Sequence, residues 1–150
     1  MFESSCVQFA SRKTPAIKVR DTLTRMEKIG QIEWTDLTVA NAQAVRDFYQ
    51  NVTGWTASPV DMGDHQDYCM VPPQGDQPVA GICHALGSNA GMPPVWIIYI
   101  TVADVDESVR QCLAHGGKVR RPIETMGSHG RFCIIEDPAG AVAGLFEHTK

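Results

Sequence analysis

No stretch of this chain is apolar for long enough to cross a bilayer as a helix; the longest candidate, Val95–Ile100, is strand-sized. Basic charge is not in excess either. Lys and Arg number 13 against 17 Asp and Glu, for a net charge of −4, and no basic stripe runs through residues 29–148. That balance argues against a nucleic-acid partner. The cysteines lack a pattern. Cys6, Cys69, Cys83, Cys112 and Cys133 are odd in number and without the close spacing of a metal cluster. A reduced, cytoplasmic setting suits them better than a disulfide framework. Residues 1–28 lack the continuous apolar core of a secretory signal and are read as a poorly packed N-terminal extension. The remaining composition is ordinary, and 150 residues suffice for one compact domain or two small modules with a shared core.

What the chain does have is a duplication. Met126–Phe146 reads M-G-S-H-G-R-F-C-I-I and, after a turn, A-V-A-G-L-F; Met62–Cys83 reads M-G-D-H-Q-D-Y-C-M-V and then P-V-A-G-I-C. Met62, Gly63, His65, Tyr68 and Cys69 answer Met126, Gly127, His129, Phe132 and Cys133 at an offset of 64 (126 less 62). Val79-Ala80-Gly81 answers Val142-Ala143-Gly144 at 63 (142 less 79). Ahead of each copy, Leu37-Thr38-Val39-Ala40-Asn41 answers Ile100-Thr101-Val102-Ala103-Asp104, and Val45-Arg46 answers Val109-Arg110. Several blocks in the same order indicate one supersecondary unit present twice.

Taken in order, Gln31–Val39 alternates as a strand, with Trp34, Asp36 and Thr38 on one face and Glu33, Leu37 and Val39 on the other. Asn41 caps a helix that carries Ala44, Val45, Phe48 and Tyr49 at helical spacing, and Gly54 ends it. Strands follow at Trp55–Val60, Asp67–Val71 and Pro78–Leu86, with a turn at Pro72–Asp76. Gly87–Pro94 is a linker. The order then recurs: a strand Val95–Val102, a helix from the Asp104 cap through His115, and strands at Lys118–Ile123, Gly130–Ile135 and Ala141–His148. The expected organisation is an extension over 1–28, a first βαβββ module over 29–86, a linker over 87–94 and a second module over 95–150. The fold class is α+β.

In this order, W-x-D-L-T-V at 34–39, F-Y-x-x-V-T-G-W at 48–55, V-W-I-I-Y-I-T-V-A-D-V-D at 95–106 and G-R-F-C-I-I-E-D-P-A-G-A-V-A at 130–143 resemble the vicinal-oxygen-chelate superfamily of glyoxalase I, bleomycin-resistance proteins and extradiol dioxygenases. The resemblance covers residues 29–148. It implies two tandem modules whose mixed sheets pair around a concave cleft, a ligand in that cleft, and a homodimer whose modules pair within or between chains. For an enzyme, it implies a lyase, isomerase or dioxygenase. One fold hosts many functions, so the residues at the site must choose among them.

In metal-dependent members each module supplies one His, Glu or Gln from its first strand and one from its last. Carried onto this chain, those positions are Trp34, Ile97, Gly81 and Gly144, and none offers a side-chain donor for a divalent cation. The expectation is therefore no metal and no cofactor at that place. Two residues along the same faces stand Asp36, Tyr99, Cys83 and Phe146, a carboxylate, a phenol, a thiol and a ring. His84 and Glu147 are 63 apart (147 less 84), but alternation sets them on the opposite face. His65 and His129 occupy equivalent loops. Arg131 opens a strand and can pair with an anionic ligand or with a neighbouring acid. The glycines allow either close backbone packing or added cleft volume, and the rings of Trp34 and Tyr99 offer flat walls with a polar edge.

The ligand-binding candidates are accordingly Trp34, Asp36, Gly81, Cys83, Ile97, Tyr99, Arg131, Gly144 and Phe146. They lead to sequestration of a small, partly apolar molecule without metal. Two other readings stay open. One is a metal-free enzyme with Asp36 as base and Tyr99 or Cys83 as acid. The other is a metal-dependent lyase or dioxygenase with non-standard ligands.

Overall fold

The computed structural model describes residues 28–149, so the reading of the N-terminal extension falls, Lys28 apart, outside the described residues. The described chain divides into two compact units. Residues 34–97 form the first; residues 28–33 and those from Ile98 onward form the second.

The first unit contains most of β1 (Ile32–Val39), helix α1 (Ala42–Thr53) and strands β2 (Thr56–Asp61), β3 (Gln66–Val71) and β4 (Ala80–His84). Its strand order is β2-β3-β4-β1, with β1 and β4 parallel and the other neighbours antiparallel. The parallel pair follows from the chain path, because the helix between β1 and β2 carries the chain across the sheet before two hairpin steps bring it back. Pro59 lies on β2, at the edge of this sheet, where a missing N–H costs least.

Helix α1 begins where Asn41 Oδ1 accepts the Ala44 N–H at 3.0 Å, and ends at Gly54, whose φ of 75° closes the last turn through a bond to Gln50 O. Its inward stripe is Ala42, Val45 and Tyr49, spaced by three and four residues. Phe48, expected on that stripe, is 57% exposed. It follows Val45 by three residues and precedes Tyr49 by one, which turns it to the rim of the stripe. The stripe covers Tyr68, Met70, Ala80 and Ile82, and Trp55 and Trp96 close the flank, with Trp96 Nε1 donating to Tyr49 Oη at 3.0 Å.

The second unit repeats the plan with β5 (Trp96–Thr101), α2 (Val105–Ala114), β6 (Lys118–Met126), β7 (Gly130–Glu136) and β8 (Val142–His148); the first two residues of β5 belong to the first unit. The order is β5-β8-β7-β6, and β5 and β8 are parallel. Asp104 caps α2 by accepting the Glu107 N–H, and Val105 and Val109 pack on Cys133 and Leu145. Strand β6 runs three residues beyond the expected Ile123, with register irregularities on either side of Arg121. Pro122 interrupts the ladder there, and β6 is an edge strand that tolerates it.

The duplicated letters of β3 and β7 do not occupy equivalent places. Cys69 stands beside Gly81, whereas Ile134, not Cys133, stands beside Gly144. A slip of one residue reverses the face of every side chain on a strand. Cys69 therefore clusters with Cys83 and Val60, while Cys133 lies under α2. Tyr68 lies under α1, while Phe132 meets the Tyr99 ring at 6.3 Å.

Candidate functional site

In the first unit, β1 and β4 run parallel with Asp36 opposite Gly81 and Thr38 opposite Cys83. The sheet face away from α1 thus carries Trp34, Asp36, Gly81, Cys83 and Cys69. Trp34 and Asp36 are 4% and 3% exposed, and Trp34 Nε1 donates to Asp36 Oδ1 at 2.6 Å. An i, i+2 pair on a strand points to one side, which is why the indole reaches the carboxylate. A buried carboxylate needs hydrogen-bond donors, and the indole supplies one without adding charge. Gly81 leaves the position beside Asp36 without a side chain. Ile97 is buried, and its carbonyl accepts from Thr35 Oγ1 at 3.1 Å.

The corresponding face of the second unit is built differently. Tyr99 pairs with Gly144, and Thr101 with Phe146. A Cβ on Gly144 would collide with the Tyr99 ring at Cδ1, Cε1 and Cγ. The ring occupies the space that the glycine leaves, so close packing, not open volume, describes this glycine. Phe132 and Phe146 are each 1% exposed. The Arg121 guanidinium stacks 4.8 Å from the centre of the Phe132 ring and forms a two-bond fork with Glu124 at 2.8 Å. That fork holds the Glu124 carboxyl below the usual carboxylate range, against the smaller opposing effect of burial.

Arg121 and Phe132 were not singled out from the sequence. Phe132 was assigned to the place of Tyr68 by the repeat. Arg121 sits in an Arg120-Arg121 doublet, and on a strand one member of such a doublet must face inward unless the strand is irregular. Arg131, taken as a candidate for a ligand, is engaged by Asp106 Oδ2 and Glu147 Oε2, each at 2.7 Å. Glu147 also accepts the Val105 N–H at the first turn of α2. His84 lies with His65 and Asp67 where β3 begins and β4 ends, and the ligating atoms of these three fall within 4.8 Å of one another. His129 belongs to the turn before β7, its N–H bonded to Met126 O.

The four positions to which the superfamily's metal would belong are Trp34, Gly81, Ile97 and Gly144. Their side chains hold no donor, and Tyr99 fills the place beside the last of them. None of these four residues has a side chain that fits the role of a metal ligand. Nothing there supports a reaction step routed through a metal.

Two βαβββ units with a buried carboxylate and aromatic rings on the faces away from the helices define an α+β protein of the glyoxalase and bleomycin-resistance class. Comparison with known proteins agrees. The family model of the Glyoxalase/Bleomycin resistance protein/Dioxygenase superfamily matches residues 29–143, and the chain belongs to that superfamily. A candidate glyoxylase, CFP32, of Mycobacterium tuberculosis is 36% identical over 123 residues, which is 81% of this chain and 47% of the relative. The anthracycline biosynthesis protein DnrV of Streptomyces peucetius is 29% identical over 129 residues, 78% of this chain and 46% of the relative. The chain spans about half the length of the curated relatives it matches. Among solved structures, a superfamily member from Vibrio splendidus aligns with a TM-score of 0.52 at 11% identity, over 75% of this chain and 95% of that one, a likeness of fold alone.

Proposed function

We propose that this protein binds a small, partly apolar molecule on the sheet face that carries Trp34, Asp36, Gly81 and Cys83, without the superfamily's metal. The carrying observation is the buried Trp34–Asp36 pair beside a glycine. The indole gives a flat apolar wall, the carboxylate gives an acceptor for one polar group of the ligand, and the glycine adds no side chain of its own at the neighbouring position. The matching strand positions of the second unit carry Tyr99, Gly144 and Phe146. The relatives named for anthracycline biosynthesis and as a candidate glyoxylase support a ligand drawn from small-molecule metabolism.

A thermal-shift screen of small aromatic and amphipathic metabolites, followed by calorimetric titration and product analysis, tests this reading. Saturable binding with the compound recovered intact supports it. Conversion of the bound compound that Asp36→Asn abolishes would replace sequestration with acid–base catalysis.

Two further expectations belong to the same reading. The five cysteines, odd in number and without close metal-type spacing, suit a reducing, cytoplasmic compartment. The superfamily's habit, together with Phe48 and Val52 exposed on α1, supports a homodimer. Sedimentation at micromolar concentration should give twice the chain mass, and monomer alone would contradict that assembly.

A further inference from the structure

We propose that His65, Asp67 and His84 form a binding site in the first unit for one divalent transition-metal cation of the zinc class. None of the three residues belongs to the Trp34–Asp36 pair or to the positions at which the superfamily holds its metal. The site is built where two antiparallel strands put the start of one beside the end of the other. His65 stands just ahead of β3, Asp67 is the second residue of β3, and His84 ends β4.

The donor set is two imidazole nitrogens and one carboxylate, which suits borderline divalent cations better than magnesium or calcium. His84 Nδ1 is 3.2 Å from Asp67 Oδ1, and His65 Nε2 is 3.6 Å from the same oxygen. The rings stand edge to face with centres 5.2 Å apart. In a tetrahedral zinc site, ligand atoms about 2.0–2.1 Å from the metal lie roughly 3.4 Å from one another. The two carboxylate–imidazole separations are close to that, and the ligating atoms of all three residues lie within 4.8 Å of one another, so rotation of the imidazoles can complete the site.

Three observations point to a cation and not merely to a polar knot. Asp67 is 0% exposed, its Oδ1 accepts the His84 N–H at 2.8 Å, and its Oδ2 has no hydrogen-bond partner among the described residues. A buried carboxylate with an unpartnered oxygen is costly, and a cation held through the neighbouring Oδ1 neutralises the charge that burial penalises. His65 Nδ1 lies 2.5 Å from Asp64 Oδ1, a carboxylate–imidazole contact that orients the ring and directs Nε2 toward Asp67. The His65 and His84 side chains keep 21% and 18% exposure, which leaves an approach from solvent and room for water as a fourth ligand.

The duplication supplies an internal contrast. Glu147 stands in the second unit at the position of His84, and it is committed to Arg131 and to the Val105 N–H. A guanidinium excludes a cation there, so the expected stoichiometry is one metal per chain.

The test uses the full chain without a histidine tag, treated with EDTA and exchanged into chelator-free buffer. Zinc chloride is titrated by calorimetry, and cobalt(II) is followed by its visible absorption. The expected result is about one equivalent bound, with affinity reduced at least about 100-fold in His65→Ala and in His84→Ala, since each removes a direct ligand. His65 is part-exposed and ahead of the strand, so its variant keeps the fold even if substitution at Asp67 does not. Absence of saturable uptake, or uptake that survives both histidine substitutions, would overturn the proposal.

Discussion

At Gly144 the backbone and a neighbouring ring leave no room for a side chain. Any Cβ would run into the Tyr99 ring, itself only 4% exposed and in contact with Phe132. Gly144→Ala should therefore destabilise the fold by about 1–3 kcal/mol, the usual cost of overpacking a close-packed interior. Urea unfolding of the variant against the parent measures it, and an unchanged midpoint would mean that the ring moves aside freely. Individual residues were legible in the sequence to different depths. The alternation of Trp34, Asp36 and Thr38 placed the indole and the carboxylate on one face, and the structure joins them at 2.6 Å. The same method does not reach Arg121, because alternation presumes a regular strand and β6 is irregular on either side of it, next to Pro122. The association of His65 and His84 with Asp67 was also hidden. It depends on the end-to-start pairing of two strands, which no local pattern contains.

Among the elements, β1 is held at its start by charge. Glu33, on its second residue, accepts from Lys28 Nζ at 2.5 Å and Thr101 Oγ1 at 2.5 Å, and meets His148 Nε2 at 2.6 Å. Burial opposes the charge of this carboxylate. The hydrogen bonds from Lys28, Thr101 and His148, with the charge of His148, outweigh it and hold the carboxyl below its ordinary value of 4.5. A carboxyl depressed in the folded state adds stability above its unfolded value and loses it as the pH falls through the folded one. The parent should thus lose stability as the pH drops below 4.5, and Glu33→Gln should show a shallower loss over that interval. Urea midpoints measured across the interval decide it; equal slopes would remove Glu33 from the account. The elements themselves were the most readable level. Asn41, Gly54 and Asp104 cap where the sequence says they should, because capping is a local matter of one side chain or one φ angle. Register was less readable. The Tyr68-Cys69 and Phe132-Cys133 repeats suggest equivalent strands, yet the pairing slides by one residue and reverses their faces.

At the scale of the whole molecule, the duplication sets the plan and divergence between the copies assigns the roles. The first unit presents Trp34 and Asp36 beside a glycine, while the second fills the equivalent place with Tyr99. Likewise His84 and Glu147 stand at matching positions, one beside two metal-type donors and the other tied to a helix start and an arginine. The measurement that tests the central claim most directly is calorimetric titration of a screened ligand into the parent and into Trp34→Ala. It is run with and without excess EDTA, with circular dichroism confirming that the variant is folded. Removing an apolar wall of this size should cost about 1–3 kcal/mol of binding, a loss of about 5- to 150-fold in affinity, and EDTA should change nothing. Binding that vanishes with EDTA, or that is indifferent to the loss of Trp34, would contradict the account.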